Sequence, residues 1–265
     1  MQKITYLQEC LRNDKIIRWP DGCMPLKVYI APMNFYSKKG ESYLYKSMVQ
    51  KAFSAWEQIS GGLVSFELVD IKLNSQIDVD WKRVDRSALG HCYFNFDANN
   101  RLYSAEVQIG LTDGLIHQEY LQEDEVYHTI LHEIGHSIGL NHSPNKADIM
   151  YTPHQYGITN LSFGDKETLK WLYRFPLNAT PRDIANEYGL QTDDIDEIIA
   201  KLIERKEPSK FEKVKNSLSM QPNKNLLDEQ TNIADLKKYN LSLQNIRIPQ
   251  KLVDSLVHTP KKPKN

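Results

Sequence analysis

Cysteine is scarce in this chain: Cys10, Cys23 and Cys92 are the only three among 265 residues. An odd, sparse count with no C-x-x-C pair argues against a disulfide-stapled scaffold and against a cysteine-built zinc site. Long hydrophobic runs are missing as well. No stretch approaches the roughly 20 apolar residues that a membrane-spanning helix needs. The first ten residues lack the basic-then-apolar build of a signal peptide, which makes a cytoplasmic location the default expectation. Neither sign of charge dominates. The formal net charge of −1 removes the global electrostatic case for nucleic acid or for an anionic membrane as partner.

What is present suits a folded domain. Hydrophobic residues make up 40%, enough to build a sizeable core in a chain of this length. Residues 26–30 read as a strand, as do 63–69, 76–81, 88–94 and 104–111, the last two joined by a turn around 97–100. A helix is predicted over 42–60, where Leu44, Met48, Ala52, Ala55 and Ile59 recur at steps of three and four before Gly61 and Gly62 end the pattern. A second helix is predicted over about 124–140, with Val126, Ile130, Ile134 and Ile138 on one face. A third covers about 165–174, with Asp165 near its N-terminal end and Pro176 as a stop signal. Beyond Pro176 the composition shifts. Residues 180–205 suggest a helical hairpin turning at Gly189, and 206–265 are polar and dotted with proline. A boundary is therefore expected near 176, with a domain over 1–175 and a helical C-terminal region over 176–265.

The segment with chemical content reads His132-Glu133-Ile134-Gly135-His136-Ser137-Ile138-Gly139-Leu140-Asn141-His142. Histidines four apart on a helix share a face, so their imidazoles can converge on one ion. Gly139 can take a positive φ, letting the helix end and the chain swing His142 back to the same ion. Three protein ligands leave a position for water, the arrangement of a catalytic rather than a structural zinc. Zinc lowers the pKa of bound water to about 7, within reach of Glu133 as general base and then acid. The alternative is a helix that happens to carry two histidines. Five fixed positions arise by chance less than about once per million starting points at background residue usage, and here they sit on an amphipathic helix, the context the chemistry needs.

His-Glu-x-x-His-x-x-Gly-x-x-His followed by a methionine turn resembles the metzincin zinc peptidases. The methionine is Met150, eight residues beyond His142, a spacing that resembles the matrixin branch, as does Ser143 directly after the third histidine. Trp19 with the strand 26–30 looks like the start of a matrixin catalytic domain. Residues 52–56 look like that family's first helix, and 161–165 running on to Leu172 and Tyr173 like its closing helix. The resemblance spans about 19–175 and implies an α+β, zincin-like fold: a twisted, mostly parallel five-stranded sheet with one antiparallel edge strand and three helices. It further implies one catalytic zinc, a polypeptide or peptide substrate, and Met150 as an apolar floor under the metal. The edge strand near Leu89, Gly90 and His91 would pair with substrate backbone as an added strand. Segment 151–156, with Tyr151, Pro153 and Tyr156, would wall the pocket for the residue after the scissile bond. The family is mostly secreted, against the default set by the N-terminus.

Some positions depart from the family. Matrix metalloproteinases carry a second, structural zinc; His91 matches one of its ligands, but the upstream His-x-Asp is missing and Glu106 stands about where another histidine would be. His91 is therefore read as a satisfied strand histidine. The tyrosine ligand of astacin-type relatives would fall at position 152, which is Thr152. His128 is read as a helix-surface residue or one behind the ligands, His154 as an exposed loop histidine, and Cys23 as a small packed thiol rather than a latency switch. Asp97, Asn99 and Asn100 offer oxygens to calcium, but a turn accounts for them equally well. The stretch 183–202 has the look of a helix-turn-helix. Asp193, Asp194, Asp196 and Glu197 stand where DNA contacts would need basic side chains, so a packing or partner-binding hairpin is the better reading. The second functional reading is accordingly a zinc-binding, weakly active or inactive relative whose C-terminal region binds a protein partner.

Overall fold

Alternation in Leu26–Ile30 puts Leu26, Val28 and Ile30 inward and Lys27 outward, so this segment, β1, can pair within a sheet and feed a core from one face. The structure is a computed structural model and describes residues 3–33, 41–84, 89–112 and 122–205. β1 lies in a five-stranded sheet with β2 (Phe66–Leu68), β3 (Ile77–Arg83), β4 (Gly90–Phe96) and β5 (Leu102–Leu111), in the order β2-β1-β3-β5-β4. Four strands run parallel, and β4 pairs antiparallel with β5 at the edge. This is the sheet the family resemblance implies. β2 is shorter than the predicted 63–69, because the Ser60 hydroxyl accepts the Val64 N–H at 3.2 Å and draws 60–64 into a turn. In the β4–β5 turn, the Asp97 carboxylate accepts the N–H groups of Asn99 (2.8 Å) and Arg101 (3.0 Å), as an Asx turn requires.

Three helices accompany the sheet, α2 (Glu41–Ser60) and α3 (Glu123–Ser137) against its strands and α4 (Phe163–Arg174) against α2. α3 opens with Glu123, Asp124 and Glu125, carboxylates that favour the positive end of a helix dipole. It packs on β4, β5 and α2. Ile130, Leu131 and Ile134 are buried there, each contributing about 1.5–3 kcal/mol relative to exposure. Two buried tryptophans hold α3 by hydrogen bonds as well: Trp56 Nε1 donates to the Leu131 carbonyl (3.0 Å) and Trp19 Nε1 to that of Ser137 (2.8 Å). α4 starts two residues before the predicted position. Ser162 is its N-cap: its hydroxyl accepts the Asp165 N–H and the Asp165 carboxylate accepts the Ser162 N–H, a capping box.

The segments flanking this unit also pack. A short N-terminal helix, α1 (Leu7–Cys10), lies against α4 and against α6 (Ile195–Glu204). α5 (Pro181–Glu187) is capped by Thr180, with Pro181 in its first turn, and Gly189 takes φ +65° in the bend before α6. Leu7, Ile16, Ile184, Ile195 and Ile198 are all buried in the same core as the sheet. The polar stretch 206–265 lies outside the described residues. Among the described residues no helix is long and apolar enough to cross a membrane.

Candidate metal centre

α3 carries His132 and His136 one turn apart and stops just beyond them. Gly139 takes φ +97°, a conformation that costs an L side chain dearly, and the Leu140 N–H returns to the Gly135 carbonyl at 3.1 Å. The reversal brings His142 to the two helical histidines. The candidate ligand nitrogens of His132, His136 and His142 all lie within 4.8 Å of one another.

The two helical imidazoles have fixed tautomers. His132 Nδ1 lies 2.8 Å from the Ile149 carbonyl and His136 Nδ1 2.9 Å from the Leu140 carbonyl. A carbonyl only accepts, so each Nδ1 carries the proton and each Nε2 presents a lone pair. Those two Nε2 atoms face each other at 3.1 Å, with no proton between them to share. A cation relieves that opposition, and the spacing is close to the about 3.3 Å edge of a tetrahedron with zinc–nitrogen bonds of about 2.0–2.1 Å. Burial, and then the neighbouring His136, holds the His132 pKa well below 6.5; burial brings His136 to about 4 and also lowers His142. All three are thus neutral donors at neutral pH, the form a metal requires. The donor set fits zinc, and the carbonyl partners orient it from behind.

Glu133 is 7% exposed and lines the same cleft, a cavity of about 600 Å³. Burial raises its pKa to about 8, and a divalent cation beside it would draw the carboxyl back to its charged form. β4 passes directly over it. A β-carbon on Gly90 would lie 2.7 Å from Glu133 Cγ, so the edge strand reaches the carboxylate only because that residue has no side chain.

The methionine turn closes the other side. Met150 is fully buried, against Gly135 and Trp56. Its carbonyl accepts the Ser143 N–H at 2.8 Å, and the Ser143 hydroxyl bonds Asp148 at 2.5 Å. Asp165 Oδ2 accepts the Ile149 N–H at 2.9 Å, and Ile149 is the residue whose carbonyl orients His132. The capping carboxylate of α4 is therefore also a strut of the metal loop.

Leu89, Gly90, His91, Tyr151, Pro153 and Tyr156 all line the cleft, as do Cys92, Thr129, Thr152, His128 and His154. Of the two places expected for His128, it takes the one behind the ligands: it is 1% exposed, stacks on His132, and its Nδ1 donates to the Ile158 carbonyl at 2.6 Å. His154 is not an exposed loop residue: its Nε2 pairs with the buried Glu125 carboxylate at 2.7 Å. His91 stacks on Tyr93 and stands opposite Gln108 in the sheet, while Glu106 bonds Gln108. Among the described residues these do not form a second convergent metal group. Cys23 packs on the core and is not among the cleft residues.

Known proteins resemble the chain in the same region. The family model for matrixin matches residues 32–174. A provisionally named matrix metalloproteinase of Trichoplusia ni ascovirus 2c is 37% identical over 93 residues, covering 32% of this chain and 18% of that protein. Another, 095L of Invertebrate iridescent virus 3, is 28% identical over 120 residues, covering 40% of this chain and 32% of its own length. The chain thus spans about a third or less of the curated relatives it matches. The family match takes in more than half of the 265 residues, including every histidine of the metal centre and the methionine turn, so this chain belongs to the matrixin family.

Proposed function

We propose that this chain is a zinc-dependent endopeptidase acting on extended polypeptide. The observation that carries the reading is the meeting of three neutral imidazoles beside the buried carboxyl of Glu133, in one open cleft. His132, His136 and His142 would hold the ion. Zinc bound there would lower the pKa of water to about 7 and polarise the substrate carbonyl as a Lewis acid.

The remaining work falls to the protein's own groups. The Glu133 carboxylate takes a proton from the attacking water and delivers it to the leaving nitrogen, so one side chain serves both proton transfers. Gly90 lets β4 run close enough to place substrate backbone within reach of that carboxylate. β4, the last strand in the sheet order among the described residues, would offer main-chain hydrogen bonds to an extended peptide, with Leu89 and His91 flanking the contact. Tyr151, Pro153 and Tyr156 form a wall for the residue after the scissile bond. Met150 supplies an apolar support beneath the ligand helix. Neither calcium nor nucleic acid enters this reading.

Digestion of a diverse peptide library by zinc-loaded protein, beside the Glu133→Ala variant, tests it. Internal cleavages read by mass spectrometry should vanish in the variant while zinc content stays the same. Identical peptide patterns from the two proteins would overturn the proposal.

A further inference from the structure

The family match begins at residue 32 and ends at 174, yet the loop that carries His142 is tied to chain before that span, and that chain is in turn held by chain after it. Asn141, the residue before His142, makes three bonds. Its Oδ1 accepts the His142 N–H at 2.9 Å, its Nδ2 donates to the Glu9 carbonyl at 2.8 Å, and its backbone N–H points to the Cys10 sulfur at 3.3 Å. Glu9 and Cys10 belong to α1. One turn earlier, Tyr6 donates its phenol proton to Asp165 Oδ1 at 2.8 Å. The other oxygen of that carboxylate accepts the Ile149 N–H, and the Ile149 carbonyl orients His132. One short helix therefore touches the loop on both flanks, at the residue before the third ligand and, through a single carboxylate, behind the first.

A helix of four residues does not hold itself together. It is anchored by the Tyr6 N–H to Thr168 Oγ1 at 3.0 Å, and by α6, where Asp196 accepts from Thr5 (3.3 Å) and pairs with Lys3 (2.8 Å). The Tyr6 ring is 3% exposed and the Asp165 carboxylate fully buried, so this path runs through the interior rather than through screened surface charge.

We propose that α1 and α6, both outside the family-matched span, form a brace that positions the metal centre, with Asn141 and Tyr6 as the positioning residues. The proposal rests on the reading of His132, His136 and His142 as metal ligands. Neither positioning residue touches the ion. Each acts by fixing the backbone that carries or orients a ligand, and partners of ligands typically change metal affinity by about 10–100-fold when removed.

The test compares wild type, Tyr6→Phe, Asn141→Ala and a control, Val28→Ala, a buried position on β1 that contributes nothing to the cleft. Zinc affinity is read by chelator competition and ligand geometry by the visible spectrum of cobalt-substituted protein. Tyr6→Phe and Asn141→Ala should each weaken zinc at least about tenfold and alter the cobalt spectrum, while Val28→Ala lowers stability and leaves both unchanged. Amide hydrogen exchange at His142 and Ile149 in metal-free protein reads the brace without the ion, and should accelerate in the two brace variants only. Unchanged affinity, spectrum and exchange in those variants would overturn the brace, as would equal weakening by Val28→Ala. Should the wild type bind no metal, that result falls on the proposed function, and the exchange rates still decide the brace.

Discussion

Met150 and Gly135 are in such close contact that a β-carbon built on the glycine would overlap the methionine sulfur. The glycine sits on α3 between the two helical histidines, so the methionine turn docks directly on the backbone that presents them. Gly135→Ala should push Met150 away and, through Ile149, disturb His132. Such overpacking costs about 1–3 kcal/mol. Urea denaturation should register that loss together with weaker zinc binding. Met150→Leu keeps the volume and should cost less than about 1.5 kcal/mol.

Removing the carboxylate while keeping the shape isolates the proton transfers. Glu133→Gln should lower the rate of peptide hydrolysis by about 10²–10⁴-fold, the usual contribution of a positioned acid–base group. Zinc content measured by atomic absorption should not change. A variant that cleaves at the wild-type rate would remove Glu133 from the reaction.

Gly90→Ala tests the close passage of the edge strand. The new methyl would meet Glu133 Cγ and the Thr129 methyl, at 2.7 and 2.8 Å, so strand or carboxylate must shift. Misplacement of about 1 Å can cost about 10²-fold in rate. Turnover of a fluorogenic peptide should therefore fall far more than thermal stability does.

Metal-free protein should have a stability maximum near pH 6.5. Burial brings His128 and His136 to about 4 and His132 well below 6.5. The unfolded chain then binds protons more readily at these sites, so their contribution is complete above about 6.5 and lost as pH falls. Each costs on the order of 1 kcal/mol per pH unit in that window. Glu133, raised from 4.5 to about 8, has the opposite sign: its contribution is present below 4.5 and lost as pH rises toward 8. Three histidines outweigh one carboxyl between 4.5 and 6.5. Denaturation series from pH 4.5 to 8 should show the peak, and Glu133→Gln should flatten its alkaline side. A steady rise in stability on acidification from 6.5 would contradict the argument.

Zinc should stabilise the fold by mass action. At a free concentration about 100 times Kd it adds about 2.7 kcal/mol, or about 5–10 °C in Tm for a domain of this size. Calorimetry with chelator and then with restored zinc measures the difference. An unchanged Tm would mean the three histidines do not hold the ion in the folded state.

The convergence of His132, His136 and His142 was legible in the sequence because its instructions are local. Histidines four apart set a helix face, and Gly139 announces where the helix must end. The mostly parallel sheet with one antiparallel edge strand followed from the family resemblance, and α2 and α3 from apolar periodicity. Other features depend on contacts that no window of sequence displays. Tyr6 meets Asp165 across 159 residues, and α1 is too short to show a period. The burial of His128 is set by Ile158, and that of His154 by Glu125, about thirty residues away in each case. The predicted 63–69 strand lost its first residues to a single hydroxyl, that of Ser60.

The indole of Trp19 spends its only polar hydrogen on the last turn of α3. Trp19 lies thirteen residues before the family match begins, so the stretch of chain that defines kinship is shorter than the stretch that packs as one core. A fragment trimmed to 32–174 would leave the Ser137 carbonyl buried without its donor and the pocket of a fully enclosed tryptophan empty. The family match marks a shared segment, and the core that encloses it is longer at both ends.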